Sequence, residues 1–458
     1  VSQVSSSRVS SSSVPSSRVS SWGRLSDAEH SVVPITSADA APAILQASAP
    51  GIARGMERSY GDVALNAGGT LWDTRSMNRL LAFDDATGIL TVEPGVLLRD
   101  IQATFSRQGW MLAVTPGTEI VTVAGAIAND VHGKNHATMG TFADHVVSIT
   151  LVRTDGEVIV CGPGDEPESR GWFEATCGGL GLTGLIVQAS IRLKRVPGPW
   201  LLAEDIPYQS LPEFFELSDS SEQSFEHVVS WIDITTGGGR RGILSRANPV
   251  PSPHREVPPS ATSLGAAKGG ITFPVVPPLS LVNSLTLPLL NRAYYRLKRT
   301  RAGSKVVHYK PFFYPLDAVE EWNRAYGPRG FYQYQCVLPR ATGLESVRQI
   351  LAIVARSGQG SFLGVLKTLG DREPIGMLSF ARPGVNLTID FPNLGASTLA
   401  LLSSLDAVVT EHGGRLYLAK DARMPVALFE AGYPRLAEFT EYRDPGISSE
   451  MSRRLLGS

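Results

Sequence analysis

Residues 115–136, TPGTEIVTVAGAIANDVHGKNH, constrain the fold more than any other stretch. Gly117, Gly125 and Gly133 stand there among small residues, so the backbone can turn sharply and approach a bulky ligand with no Cβ in between. Thr122 precedes the small, apolar run Val123, Ala124, Gly125, Ala126, Ile127, Ala128. That run reads as a helix start whose free N–H groups would face a phosphate or pyrophosphate. His132, Gly133, Lys134 and Asn135 follow on the exit. A lone glycine-rich loop reads equally well as a tight turn packed against a helix.

Two further stretches decide between these readings. Residues 53–62 read ARGMERSYGD, in which Gly55 and Gly61 bracket a polar turn, and residues 413–421, far along the chain, read GGRLYLAKD. Together the three resemble the flavin-binding domain of the vanillyl-alcohol oxidase superfamily, and within it the bacterial decaprenylphosphoryl-ribose 2'-oxidase group. The resemblance runs from Trp22 to the C-terminus, with RSYGD, HGKNH, FYQYQ and LYLAKD in the expected order. It implies an α+β fold: a two-part FAD-binding domain of the PCMH type, plus an inserted substrate domain with an antiparallel sheet backed by helices. The expected divisions are a disordered serine-rich tail over 1–21 and the first part of the FAD-binding domain over 22–197. A substrate domain with a flexible insert at about 235–305 follows over 198–412, and residues 413–458 return to the FAD-binding domain.

Length and composition agree with a globular protein of this size. The 458 residues, 43% of them hydrophobic, can bury large cores, and a formal net charge of −1 gives no basic field for a nucleic-acid partner. Cys161, Cys177 and Cys336 are too sparse and too widely spaced for a disulfide framework or a cysteine-rich metal site, so neither is expected. The serine-dominated residues 1–21 lack the apolar core of a signal peptide. Residues 271–290 are the nearest approach to a membrane span, and their four prolines argue against one.

Periodicity then places the elements. Strands are expected at 88–92, 146–152, 157–160, 187–193, 201–206, 227–233, 331–338, 361–368, 376–381 and 385–391, and helices after Leu97 and over 344–357 and 397–412. Asp155-Gly156 marks a hairpin, and the glycine-rich run 178–186 is a second close approach, which the resemblance lays against the flavin. Residues 235–290 read as a long irregular insert, and 291–310 hold seven Lys or Arg beside Leu289, Leu290, Tyr294, Tyr295 and Leu297. That segment is either a solvated helix face or, with the insert, a surface for anionic lipid.

By resemblance, FAD is lined by Ala53, Arg54, Gly55, Met56, Glu57, Arg58, Ser59, Tyr60, Gly61, Asp62 and Val63, then Gly117, Thr122, Val123, Ala124 and Gly125. His132, Gly133, Lys134, Asn135, Ile186 and Tyr417 complete the set. Arg58 suits a pyrophosphate counter-ion or a plain surface ion pair. Lys420 would bind a substrate phosphate or, with its pKa lowered by burial, help remove a hydroxyl proton. Tyr60 is placed on the substrate side of the flavin, or is a core tyrosine. Gln333 and Gln335 share one strand face and suit sugar hydroxyls. Tyr314, Lys367 and Asn386 are further substrate candidates by resemblance, and Thr388 stands where relatives often have a cysteine. The implied activity is FAD-dependent oxidation of the 2'-hydroxyl of decaprenylphosphoryl-β-D-ribofuranose, the first half of an epimerisation serving cell-wall arabinan. A soluble alditol or aldonolactone oxidase is the alternative. The resemblance further implies noncovalent FAD despite His132, a quinone-type acceptor and an NADH-dependent keto-reductase partner. It also implies a peripheral position at the inner membrane, on a face left open.

Overall fold

The computed structural model describes residues 16–164, 166–235, 241–251 and 271–457. Three large sheets organise the described chain, beside a two-stranded parallel pair of Ile271–Thr272 with Val319–Glu320. The first runs Ser16–Val19, Ala28–Pro34, Thr70–Asp73, Gly51–Arg54, with the last three strands parallel. The second, antiparallel, runs Leu80–Asp84, Ile89–Val92, Leu185–Arg195, Val146–Val152, Val158–Cys161, and the short strand Trp110–Leu112 pairs with the end of Leu185–Arg195. Strands Val146–Val152 and Val158–Cys161 form the expected hairpin around Asp155-Gly156, pairing Val152 with Val158.

The third sheet has eight antiparallel strands. Their order is Gly303–His308, Trp200–Tyr208, Gly242–Pro249, His227–Ile232, Gly364–Leu369, Gly384–Pro392, Phe331–Leu338, Arg415–Leu416. Side chains alternate across a strand with a period of two. Accordingly Val385, Leu387, Ile389 and Phe391 enter a core shared with helices Leu211–Glu222, Gly343–Ser357 and Ala396–Glu411, while Asn386 and Thr388 face a cavity on the other side.

Four expectations need correction. The tail is ordered at its end: Ser16–Val19 pairs with residues 28–31, Val19 is buried, and the N–H of Trp22 donates to Ser59 O at 2.9 Å. Its residues 1–15 lie outside the described residues. The insert contains a central strand, Gly242–Pro249, hidden from a hydrophobicity reading because Ser245 and Arg246 are polar. Each meets a carboxylate on the neighbouring strand, Asp205 at 2.5 Å and Glu204 at 2.7 Å. Residues 236–240 and 252–270 of that insert lie outside the described residues. The basic segment forms a helix, Thr286–Thr300, that begins inside the stretch read as irregular to 290, and an edge strand, Gly303–His308, follows, so the insert expected to be flexible over about 235–305 carries regular elements.

Finally, residues 376–381 form a turn. A Cβ on Gly376 would lie 1.9 Å from Cys177 O, so the chain there is pressed against the first part of the protein, with no room for a flanking strand. The N–H of Met377 donates to Glu174 O at 2.9 Å.

The C-terminal segment closes on the 53–63 loop. Arg454 donates to Asp62 at 2.8 Å and to Asp421 at 2.9 Å, and a Cβ on Gly61 would fall 1.6 Å from Asp421 O. Because backbone cannot yield as a side chain does, Gly61→Ala should destabilise the protein by on the order of 3 kcal/mol. The check is the chemical-denaturation midpoint, and an unchanged midpoint would mean that the two segments separate easily.

Candidate active site

A cavity of about 1200 Å³ lies where the 53–63 loop, the 115–134 stretch and the open face of the eight-stranded sheet meet. That is larger than the few hundred to roughly 1,000 Å³ usual for one small ligand. One arm is walled by Gly55 to Tyr60, Gly117, Thr122, Gly125, Gly181 and Ile186. The other is walled by Gln333, Gln335, Lys367, Asn386 and Thr388, which sit in register on adjacent strands. Gln335 is opposite Thr388, and Lys367 is opposite Asn386. His132, Tyr417, Lys420 and Tyr60 stand where the arms join.

The first arm suits a large anionic ligand, by a route other than the expected helix start. Thr122 does cap helix Val123–Ala128, accepting from Gly125 N at 3.1 Å, but Val123 N–H donates to Val96 O at 2.8 Å and Ala124 N–H to Pro94 O at 3.1 Å. That helix end therefore has no N–H to spare in its first turn. The backbone N–H groups of Met56, Glu57, Arg58 and Ser59, by contrast, take no acceptor among the described residues, and Glu57 turns that loop with φ of 56°. Arg58 makes no ion pair among the described residues and lies over the Trp22 ring at 4.1 Å, so its charge faces the cavity. Asn129, also on the wall, has a buried Oδ1 without a partner, and nothing lies within 4 Å of where a Cβ on Gly117 would be. These groups are what a dinucleotide with a pyrophosphate would use.

At the junction, half-buried and buried amines dominate. Lys420 lies with its Nζ 3.7 Å from the centre of the Tyr60 ring. Burial lowers its pKa to about 7, against the opposing pull of Asp390. Lys367 donates to Gly133 O at 2.6 Å and lies 2.6 Å from His132 Nδ1; burial and then the nearby Lys134 charge bring it to about 7. Lys134 donates to the carbonyls of Phe312 and Phe313, and burial and then Lys298 lower it to about 7. Gln335 lies 3.0 Å from His132 Nε2 and donates to Asn386 at 2.8 Å. With burial pushing its pKa far down, His132 is a neutral ring engaged at both nitrogens. Tyr60 is pushed the other way, so its phenol stays protonated.

Five expected wall residues are not on the cavity. Gly61 and Asp62 are taken up by the closure against Asp421 and Arg454, and Val123 is core. Asn135 donates to Ala113 O at 2.8 Å, and Tyr314 lies behind the wall, 2.8 Å from Thr115 Oγ1. The three cysteines are buried and none lines the cavity, where Thr388 stands instead. One polar group had gone unrecognised. Asp390, fully buried, accepts from Gln333 at 2.6 Å and from Tyr326 OH at 3.2 Å. Its place in the sequence next to apolar Ile389 and Phe391 hides it, although its alternation with Asn386 and Thr388 marks the same strand face.

Residues 30–162 match the family of FAD binding domains. Over 96% of this chain and 97% of the relative, the sequence is 36% identical to a decaprenylphosphoryl-β-D-ribose oxidase of Mycolicibacterium smegmatis. The chain belongs to the decaprenylphosphoryl-β-D-ribose oxidase family. It is an FAD-dependent oxidoreductase, as that family's domain requires. More distant similarity reaches an L-gulono-1,4-lactone dehydrogenase of Mycobacterium tuberculosis, 23% identical over 93% of this chain and 95% of the relative. An L-gulonolactone oxidase of Mus musculus is 33% identical over 33% of each chain.

In this member of the oxidase family, Asp390, whose own pKa burial raises to about 7, holds the Gln333 amide and in its ionised form raises the pKa of Lys420. Asp390→Asn removes that charge and should lower the Lys420 pKa below about 7. NMR titration of the protein with lysines labelled at the ε-carbon reads this directly, and an unmoved Lys420 resonance would remove Asp390 from the site's electrostatics.

Proposed function

We propose that the protein oxidises the 2'-hydroxyl of decaprenylphosphoryl-β-D-ribofuranose to the 2'-keto compound. The observation that supports this most is the juxtaposition of a half-buried, half-neutral lysine with a row of amide and hydroxyl groups beside the flavin-domain arm. FAD, when bound, supplies the two-electron acceptor for the hydrogen leaving the carbinol carbon. The residues proposed to hold it are the 53–60 loop with Val63, Gly117, Thr122, Ala124, Gly125, His132, Gly133, Ile186 and Tyr417, with Arg58 against the pyrophosphate.

Gln333, Gln335 and Asn386 orient the furanose hydroxyls. The neutral Lys420 amine takes the hydroxyl proton, since Tyr60, held protonated, is a donor and a poor base. Lys134 and Lys367 become fully charged when a phosphate enters, because a nearby anion favours the protonated amine. FAD is held without a covalent bond, because both ring nitrogens of His132 already have protein partners.

The helix Thr286–Thr300 suits a bilayer surface. Leu287, Asn291 and Tyr295 are buried against the protein while Leu285, Leu289, Leu290 and Leu297 are exposed. Of the seven cations expected there, Lys298 and Lys305 pair with Asp205 and Lys310 with Glu119, which leaves Arg292, Arg296, Arg299 and Arg301 for anionic headgroups. Among the described residues no helix is long and apolar enough to cross a membrane. A quinone-type acceptor and an NADH-dependent reductase complete the proposed epimerisation.

Anaerobic bleaching of the flavin by a polyprenylphosphoryl ribose, and not by alditols or aldonolactones, is the expected result. Bleaching by the free sugars alone would favour a lactone or alditol oxidase. The rate constant kcat, read with substrate bound and Lys134 and Lys367 held charged by its phosphate, should climb as pH rises through about 7, where Lys420 loses its proton, and level off above it. Lys420→Met should lower it by roughly 10²- to 10⁴-fold and abolish the rise. Acid precipitation should leave the yellow colour in the supernatant, and a yellow pellet would contradict noncovalent binding.

A further inference from the structure

The cavity has a third branch that neither a dinucleotide nor a ribose needs. It runs from the junction beneath helix Thr286–Thr300, over strands Trp200–Tyr208, Gly242–Pro249 and His227–Ile232. Its walls are Ala203, Val229, Trp231, Leu290, Tyr294 and Val307. Tyr294 meets Trp231 edge-on with ring centres 4.8 Å apart. At one end stands Asp205 between Lys298 at 3.1 Å and Lys305 at 2.8 Å, one carboxylate against two amines, so that end carries a net positive charge and the apolar wall is confined to the rest of the branch. Leu290 and Tyr294 line it while being 53% and 40% exposed, so it reaches the surface on the helix face that presents Leu289 and Leu297. Ser230, Ser245 and Asn291 on this wall are already bonded to Tyr208, Asp205 and Asp233, so away from the Asp205 end it offers mainly apolar area.

We propose that this branch binds the first isoprene units of the substrate's polyprenyl chain, leading the rest of the chain out past Leu290 toward the lipid surface. The inference rests on the polyprenyl-phosphate reading of the site and adds to it a chain-length subsite. The proximal units leave water for an aromatic and aliphatic wall, while the distal ones pass beyond the protein and contribute nothing further. Binding should therefore improve over the first few units and then level off.

The test uses the FAD-loaded enzyme and prenylphosphoryl-β-D-ribofuranoses of one, three and ten isoprene units. The readout is the ratio of kcat/KM between lengths for anaerobic flavin reduction. In the unaltered protein the three-unit compound should exceed the one-unit compound by on the order of tenfold or more, from the area buried, and the ten-unit compound should add little. Val229→Trp, which fills the branch, and Tyr294→Ala, which strips its wall at a half-exposed position, should each bring the three-to-one ratio close to unity. Retention of the full ratio in both variants, or equal kcat/KM for all lengths in the unaltered protein, would overturn the subsite and leave the reaction standing. Flavin that none of the three compounds reduces would sink the substrate reading itself, and the subsite with it.

Discussion

The alternation of side chains along the eight-stranded sheet is the constraint on which the rest depends. In strand Gly384–Pro392 a single register decides that Val385, Leu387, Ile389 and Phe391 fill the helix-backed core while Asn386, Thr388 and Asp390 point the other way. Slipping this strand by one residue would bury three polar groups in hydrocarbon and expose four large apolar ones, so the register is strongly specified. Its neighbours are set by it in turn. Gln333 comes to lie opposite Asp390 and Lys367 opposite Asn386, and the polar row exists because the apolar row could go only one way.

A second constraint is the concentration of amines in a place with little water. Lys367 is buried at the junction, Lys134 and Lys420 are half-buried there with only the cavity beside them, and none has an ion pair with a carboxylate among the described residues. Burying a charge is costly unless it is paired, and a lysine escapes the cost by giving up its proton. The protein supplies carbonyls instead: those of Phe312 and Phe313 for Lys134 and that of Gly133 for Lys367. These hold the amines in place without fixing their charge. A site built this way is ready to accept an anion, because the anion's arrival supplies the missing pairing, and the protons follow.

Much of this was legible in the sequence, and the misses share a cause. Glycine loops, the Asp155-Gly156 hairpin and the strand with Gln333 and Gln335 declare themselves through local pattern, and the LYLAKD segment through its resemblance to the family. Strand Gly242–Pro249 did not, because its stabilisation comes from pairing Ser245 and Arg246 with carboxylates on another strand. The turn at 376–381 has an apolar run that reads as a strand, and only the contact of Gly376 with Cys177 O rules that out. The N–H groups at Val123 and Ala124 looked available because Val96 O and Pro94 O belong to a distant part of the chain. Asp390 was concealed among apolar neighbours whose side chains face away from it. In each case the deciding partner lies outside the window that a local pattern can see.

The junction joins the two ends of the chain, and that has a consequence for how activity and stability are related. Tyr60 comes from the first part and Lys420 from the last, yet the N–H of Tyr60 donates to Ala419 O at 2.9 Å, one residue from Lys420. The same two segments are pressed together at Gly61 and tied by Arg454 between Asp62 and Asp421. The position of the amine over the Tyr60 ring is therefore a property of chain closure. Loosening the closure would let water reach Lys420, and its pKa would move back toward the ordinary lysine range as desolvation is lost. A protonated lysine cannot accept the hydroxyl proton, so the closure that completes the fold is also what keeps the proposed base in its working form.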